Sequence, residues 1–272
     1  MKNILALAFL FLFIPNFASG QKWLEELKEK DREILNSNPI HIPINSFGDE
    51  FQKTLLKVLE VKWNNVDYII DTIGTKDLNI PFLSIVNEET FHYSNGITTN
   101  RILFGVHYYP NKTEINTIAN IQLDQFNYLP QKALITLALM NIKDQMDALI
   151  KKDPTTKNIK SSVLYVSESD LSIDKNKLTE TYSGELKIVT DGELFELLMN
   201  PKENILLGIA DRPGKTFKQY MAYRKENPNA GVGHVRYVFD PFSGSFVYKD
   251  YRAWNSMTIP GFTKKDFKVL NK

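Results

Sequence analysis

Apolar positions recur along this chain with two different periods, and each change of period marks an element. Phe51, Leu55, Val58 and Leu59 stand three and four residues apart, which predicts a helix capped by Asp49 and running to Lys62-Trp63. Ile40-His41-Ile42-Pro43-Ile44 before it and Val66-Asp67-Tyr68-Ile69-Ile70 after it read as short extended segments. Residues 71–79 read as turn or short helix. Residues 80–93 and 101–109 read as a hairpin around Ser94-Asn95-Gly96, because Asn-Gly supplies the positive φ values that tight hairpin turns need.

The longest helical pattern opens after Pro130, with Leu134, Leu137, Ala138, Asn141, Ile142, Met146 and Leu149 on its stripe. Asp153-Pro154 ends it, since the residue before a proline avoids the helical region. The polar stretch 153–160 then reads as a boundary. Beyond it, 162–166 is a strand, 170–182 is helix-like, and 186–189 is a strand. Asp191 is expected to cap a short helix over 191–199, which carries acids in its first turn. Residues 205–210 form a buried type of strand. The pair 234–239 and 246–253 reads as a final hairpin, turned by Asp240-Pro241-Phe242-Ser243-Gly244.

These elements predict an α+β fold with mostly antiparallel sheets and helices packed on one face. Two units are expected, 39–152 and 160–272. The order helix, strand, helix, hairpin recurs in them with slight residue identity, which fits either a duplication or two runs of a common order. Residues 21–38 ahead of them form a charged amphipathic helix with Trp23, Leu24, Leu27 and Ile34 as its apolar members. Two roles suit it: a partner-binding arm, or a terminal helix docked on the body.

The first residues change the picture most. Lys2 is followed by eleven apolar residues, Ile4 to Ile14, then Pro15 and the small residues Ala18-Ser19-Gly20. This is the plan of a signal peptide over 1–20, cleaved near Gly20. The run is short for a bilayer core of about 30 Å, and no later stretch nears the roughly 18 apolar residues of a span. An exported protein of the periplasm or the cell exterior is therefore expected, without a transmembrane span after cleavage.

Composition removes several classes of function. The 33 basic and 32 acidic side chains leave a formal charge of +1, against a strong positive field for nucleic acid. The chain has no cysteine, so thiol catalysis, a disulfide framework and Cys-ligated zinc are out. Export without cysteine suits a bacterial envelope. The signal peptide, the missing cysteine and the element order resemble exported bacterial proteins of unknown function, and that resemblance carries over no site residues.

Motifs for chemistry are off register. Gly214-Lys215-Thr216 lacks the glycine five residues upstream that a P-loop requires, since Ile209 stands there. His41, His92, His107 and His234 show no helical zinc spacing, although His92 and His107 flank one hairpin and could make half a site across it. Ser243, His234 and Asp250 lie close enough in sequence to imagine a triad, but a hairpin turn uses Ser and Gly anyway. No metal and no cofactor is expected. Tyr237, Tyr248, Tyr251 and Trp254 crowd the last hairpin, either as a platform for a sugar or peptide or as sheet core. The long loop 211–233 is of a length that often serves function.

The reading is a non-catalytic envelope or surface factor that binds a protein partner or a ligand, an envelope protein or a glycan being the partners considered. The alternatives are a periplasmic hydrolase built from scattered acids and histidines, and a carbohydrate-binding module on the last hairpin.

Overall fold

The computed structural model describes residues 25–72, 77–92, 97–126, 128–151, 162–174, 177–178, 181–210, 234–252 and 261–271. The expected signal peptide, the 153–160 boundary, the 211–233 loop with Gly214-Lys215-Thr216, and Trp254 lie outside those residues.

Residues 25–37 form helix α1. Strand β1 (Ile40–Pro43), α2 (Asp49–Lys62), β2 (Tyr68–Asp71), β3 (Phe82–His92), β4 (Ile97–Tyr108), β5 (Asn116–Gln122) and α3 (Gln131–Lys151) complete the first unit. The second holds β6 (Val163–Ser167), β7 (Leu186–Val189), α4 (Asp191–Met199), β8 (Ile205–Ala210), β9 (His234–Phe239), β10 (Phe246–Arg252) and α5 (Lys264–Leu270). The fold is α+β, with two mixed five-stranded sheets in which the longest ladders are antiparallel.

The two sheets share one plan. The first is ordered β2-β1-β3-β4-β5 and the second β7-β6-β8-β9-β10. In each, the first strand lies parallel between the second and third, and the third, fourth and fifth form an antiparallel meander. A helix follows each meander, α3 in one unit and α5 in the other.

Helix α3 lies between the layers. Its residues Ala133, Ile135, Leu137, Ala138, Leu139, Met140 and Ile142 are all buried, more than one face of a helix can hold, as expected where protein covers both sides. One continuous core joins them to Ile42, Leu59 and Phe104 of the first unit and to Leu198, Leu207 and Phe239 of the second. Polar ties cross the same seam. Asp144 accepts from Phe246 N at 3.1 Å and pairs with Lys249 Nζ at 2.7 Å, and Lys62 Nζ donates to Pro241 O at 2.8 Å. The buried Trp63 indole donates to Leu139 O at 2.9 Å, which satisfies its one polar atom. Helix α5 and the described residues Leu171, Ile173, Leu178 and Tyr182 cover the other face of the second sheet, where Leu178, Tyr182, Phe262 and Phe267 make a smaller core.

Several elements differ from expectation. Strand β5 escapes the sequence pattern because a register break between Val106 and His107 interrupts its alternation. The described part of 170–182 follows a 3-10 turn at Glu168–Asp170 and holds no α-helix. Thr190, not Asp191, caps α4, in a reciprocal pair with Glu193. Gly48, not Asp49, is the cap residue of α2. Helix α1 follows one of its two expected roles and is docked on the body: Arg32 Nε donates to Leu149 O at 2.9 Å, and Ile34 is buried.

Candidate functional site

Side chains alternate between the two faces of a strand, and register partners share a face. Ile40, Ile42, Leu83, Phe104, Val106, Ala119 and Ile121 all enter the core, so their neighbours face the other way. One row on that outer face crosses the whole first sheet: Ile69, His41, Phe82, His107, Thr117. The sheet therefore brings His41 and His107 into one row, with the Phe82 ring between their strands.

Each histidine has a partner that sets its orientation. His41 Nδ1 is hydrogen-bonded to Asp71 Oδ2, two residues beyond its register partner Ile69. The pair is half-buried, at 22% and 25% side-chain exposure. His107 is fully buried, with Nδ1 2.9 Å from Thr117 Oγ1. Burial pushes its imidazole down to about 4, against a lesser opposing pull from the Ser84 backbone, so the ring is neutral at pH 7.

Around this row the packing is aromatic and incompletely satisfied. Phe82 stacks on Tyr109 with centroids 5.2 Å apart, and its centroid is 6.1 Å from His107. Asn79 holds a left-handed φ of 60° and donates its backbone N–H to Tyr109 O at 2.9 Å. Gly105 is the register partner of both Ser84 and Asn120, and a Cβ there would overlap the Ala119 carbonyl. Three buried polar atoms have no hydrogen-bond partner: Asn79 Oδ1, Ser84 Oγ and His107 Nε2. Native interiors leave few such groups, and each one wants an explanation.

The residues singled out from the sequence lie elsewhere and are not brought together. Tyr237 faces the main core, stacked on Phe126 at 5.6 Å, whereas Tyr248 turns to the opposite face and donates its hydroxyl to Asp266 Oδ1 at 2.7 Å. Burial first, then the Asp266 carboxylate, pushes the Tyr248 phenol up. Tyr251 is 61% exposed. Tyr237 and Tyr248 thus cannot share one platform. Ser243 bonds Asp240 Oδ2 at 2.8 Å in the turn, while His234 stands at the far end of β9 and Asp250 pairs with Arg236 Nη1 at 3.2 Å. His92 pairs with Ile97 and His107 with Phe82, ten residues apart on β3, or about 33 Å along a strand. A joint metal site across that hairpin is excluded by the register. Among the described residues no three His, Asp or Glu side chains gather as metal ligands.

Only a faint signal in the sequence pointed to the outer face. A glycine flanked by large residues in Leu103-Phe104-Gly105-Val106-His107 hints at close backbone approach. Compared with known proteins, the chain matches no family model, no curated protein and no solved structure.

Proposed function

We propose that this chain is an exported, non-catalytic envelope or surface factor whose ligand docks on the outer face of the first sheet. The observation behind this reading is the trio of unpartnered buried atoms Asn79 Oδ1, Ser84 Oγ and His107 Nε2. A buried polar group left unbonded costs about 1–3 kcal/mol, and a bound molecule that supplies the partners recovers it. The apolar run Ile4 to Ile14 and the small residues before Gln21 support export, with cleavage after Gly20. The common plan of the two sheets supports a duplicated unit. No helix among the described residues is long and apolar enough to cross a membrane.

The test is a thermal-shift screen of the purified chain against sugars, envelope glycans, nucleotides and divalent metals. A ligand at about 100 times its dissociation constant stabilises by about 2.7 kcal/mol. The shift is expected to shrink in Ser84→Ala and His107→Phe. A ligand bound equally well by both variants would place the site elsewhere.

A second reading has one specific observation in its favour. His41 is oriented through Nδ1 by a carboxylate, as a general base is, and Ser84 stands on the neighbouring strand of the same face with a free hydroxyl. A hydrolase that opens this face to substrate would use the two as base and nucleophile. Labelling by a fluorophosphonate probe, lost in Ser84→Ala and His41→Ala, would support it. An unlabelled wild-type chain would leave the binding reading alone.

A further inference from the structure

Each sheet ends in two edge strands, and three of the four edges are guarded. Gln145 of α3 bonds the backbone of β5. Strand β7 packs Leu186, Ile188 and Val189 against the two cores and leaves Lys187 exposed. Strand β10 carries Lys249, Asp250 and Arg252. Covered faces and charged side chains are what keep edges from pairing. Strand β2 has no such guard. Its one charge, Asp71, is turned to His41 of β1. Ile69 and Ile70 lie on opposite faces and are 45% and 48% exposed, and among the described residues no strand lies beyond them. We propose that β2 is a docking edge that takes an extended, basic segment of a partner protein as a sixth strand of the first sheet. The proposal stands whether or not a ligand occupies the outer face.

The backbone is aimed for this. Ile40 N–H donates to Asp67 O on one side of β1, and His41 N–H donates to Pro81 O on the other. In the parallel register of Ile40 with Tyr68, that alternation directs the N–H and C=O of Ile69 to β1. It directs those of Tyr68 and Ile70 to the free edge, where no described residue bonds them. An incoming strand bonds these four groups and sets one side chain beside Ile69 and the next beside Ile70. Two consecutive apolar residues in the partner segment match that surface on both faces.

Charge selects the occupant. Asp67 is exposed and has no cationic partner among the described residues, so a Lys or Arg opposite it completes a cross-strand pair. A second copy of this chain fits less well. Pairing two β2 strands with Ile69 opposite itself sets Asp67 of each copy against Asp71 of the other, and like charges directly opposite are destabilising. Pairing them with Ile70 opposite itself avoids that clash. The four-residue strand, however, spans only about 13 Å. That frontage is too short for the roughly 800 Å² per partner of a stable dimer. A single extended segment needs no greater length.

The experiment is backbone amide NMR and calorimetry on the purified chain. The probe is the peptide acetyl-Thr-Val-Val-Val-Lys amide, whose lysine falls opposite Asp67 when the three valines lie antiparallel to Tyr68, Ile69 and Ile70. It is expected to bind and to shift the amide resonances of Tyr68 and Ile70. The same peptide N-methylated at all three valines should not bind, and a glutamate in place of its lysine should weaken binding at least fivefold. Ile70→Pro removes an outward N–H without touching the ladder to β1 and should abolish binding, while Asp67→Asn should weaken it at least threefold. The N-methylated peptide still decides the matter should Ile70→Pro fail to fold. Failure of the peptide to bind, or binding that survives N-methylation or Ile70→Pro, overturns the docking edge. Equal binding of the glutamate peptide overturns the basic partner. A concentration-dependent dimer in which Tyr68 and Ile70 shift without peptide overturns the proposal in favour of a second copy.

Discussion

Gln145 on α3 closes the free edge of β5 by pairing both of its amide groups with the backbone of Asn120. Its Nε2 donates to Asn120 O at 2.7 Å, and its Oε1 accepts from Asn120 N at 3.3 Å. The side chain thus plays the part of a missing strand residue. An open edge strand invites pairing with another molecule. Gln145→Leu keeps the volume and frees both backbone groups. It should cost about 1–3 kcal/mol and promote association, read by urea unfolding and by light scattering. A variant with wild-type stability and wild-type scattering would show that the edge is protected by something else.

Asp266 is expected to be the most sensitive polar position. It accepts from Tyr248, Arg252, and both the backbone and hydroxyl of Thr263, and it lies 3.4 Å from the fully buried Arg236. Removing Asp266 leaves Asp250 as the carboxylate beside Arg236 and frees several donors at once, at about 3 kcal/mol. Asp266→Ala should unfold at markedly lower denaturant. Tyr248→Phe, which removes one hydroxyl from the same carboxylate, should cost about 1 kcal/mol.

Acid should weaken the fold through His107. Its pKa falls from about 6.5 unfolded to about 4 folded, so the unfolded chain binds the extra proton between those values. The stabilisation is complete above pH 6.5 and is lost as pH falls toward 4, by about 3 kcal/mol in all. Unfolding curves at pH 7 and pH 4.5 should separate for the wild type. His107→Phe should remove that part of the separation, and an unchanged separation would assign it to other groups.

The aromatic residues of the last hairpin should divide by face. Tyr237 packs between Phe126 and Phe246, so Tyr237→Ala should cost about 3–5 kcal/mol. Tyr251 is exposed, and Tyr251→Ala should stay within about 0.5 kcal/mol of wild type. Equal effects at both positions would contradict the face assignment.

Export predicts a mature chain that begins at Gln21. Mass spectrometry of the secreted or periplasmic fraction should find that terminus, and Leu7→Arg, a charge within the apolar run, should leave the chain inside the cell. A full-length chain in the exported fraction would count against cleavage.

Most of the elements were legible in the sequence because each is a local matter. The spacing of Leu55, Val58 and Leu59 makes α2 amphipathic wherever it sits, Pro130 and Pro154 bracket α3, and Asp240 to Gly244 can hardly be other than a turn. Strand β5 was hidden, because its bulge breaks the alternation that pattern reading depends on. Helix α5 carries a legible start, Thr263 with Asp266 three residues on, but is too short for its apolar spacing to stand out. The outer-face row was illegible for a deeper reason. His41, Phe82, His107 and Thr117 come from four strands, and register between strands is settled by which faces the core buries, not by distance along the chain. The same rule separated Tyr237 from Tyr248, near in sequence yet on opposite faces. Local periodicity determined what the elements are, while burial of the shared core around α3 decided which side chains meet.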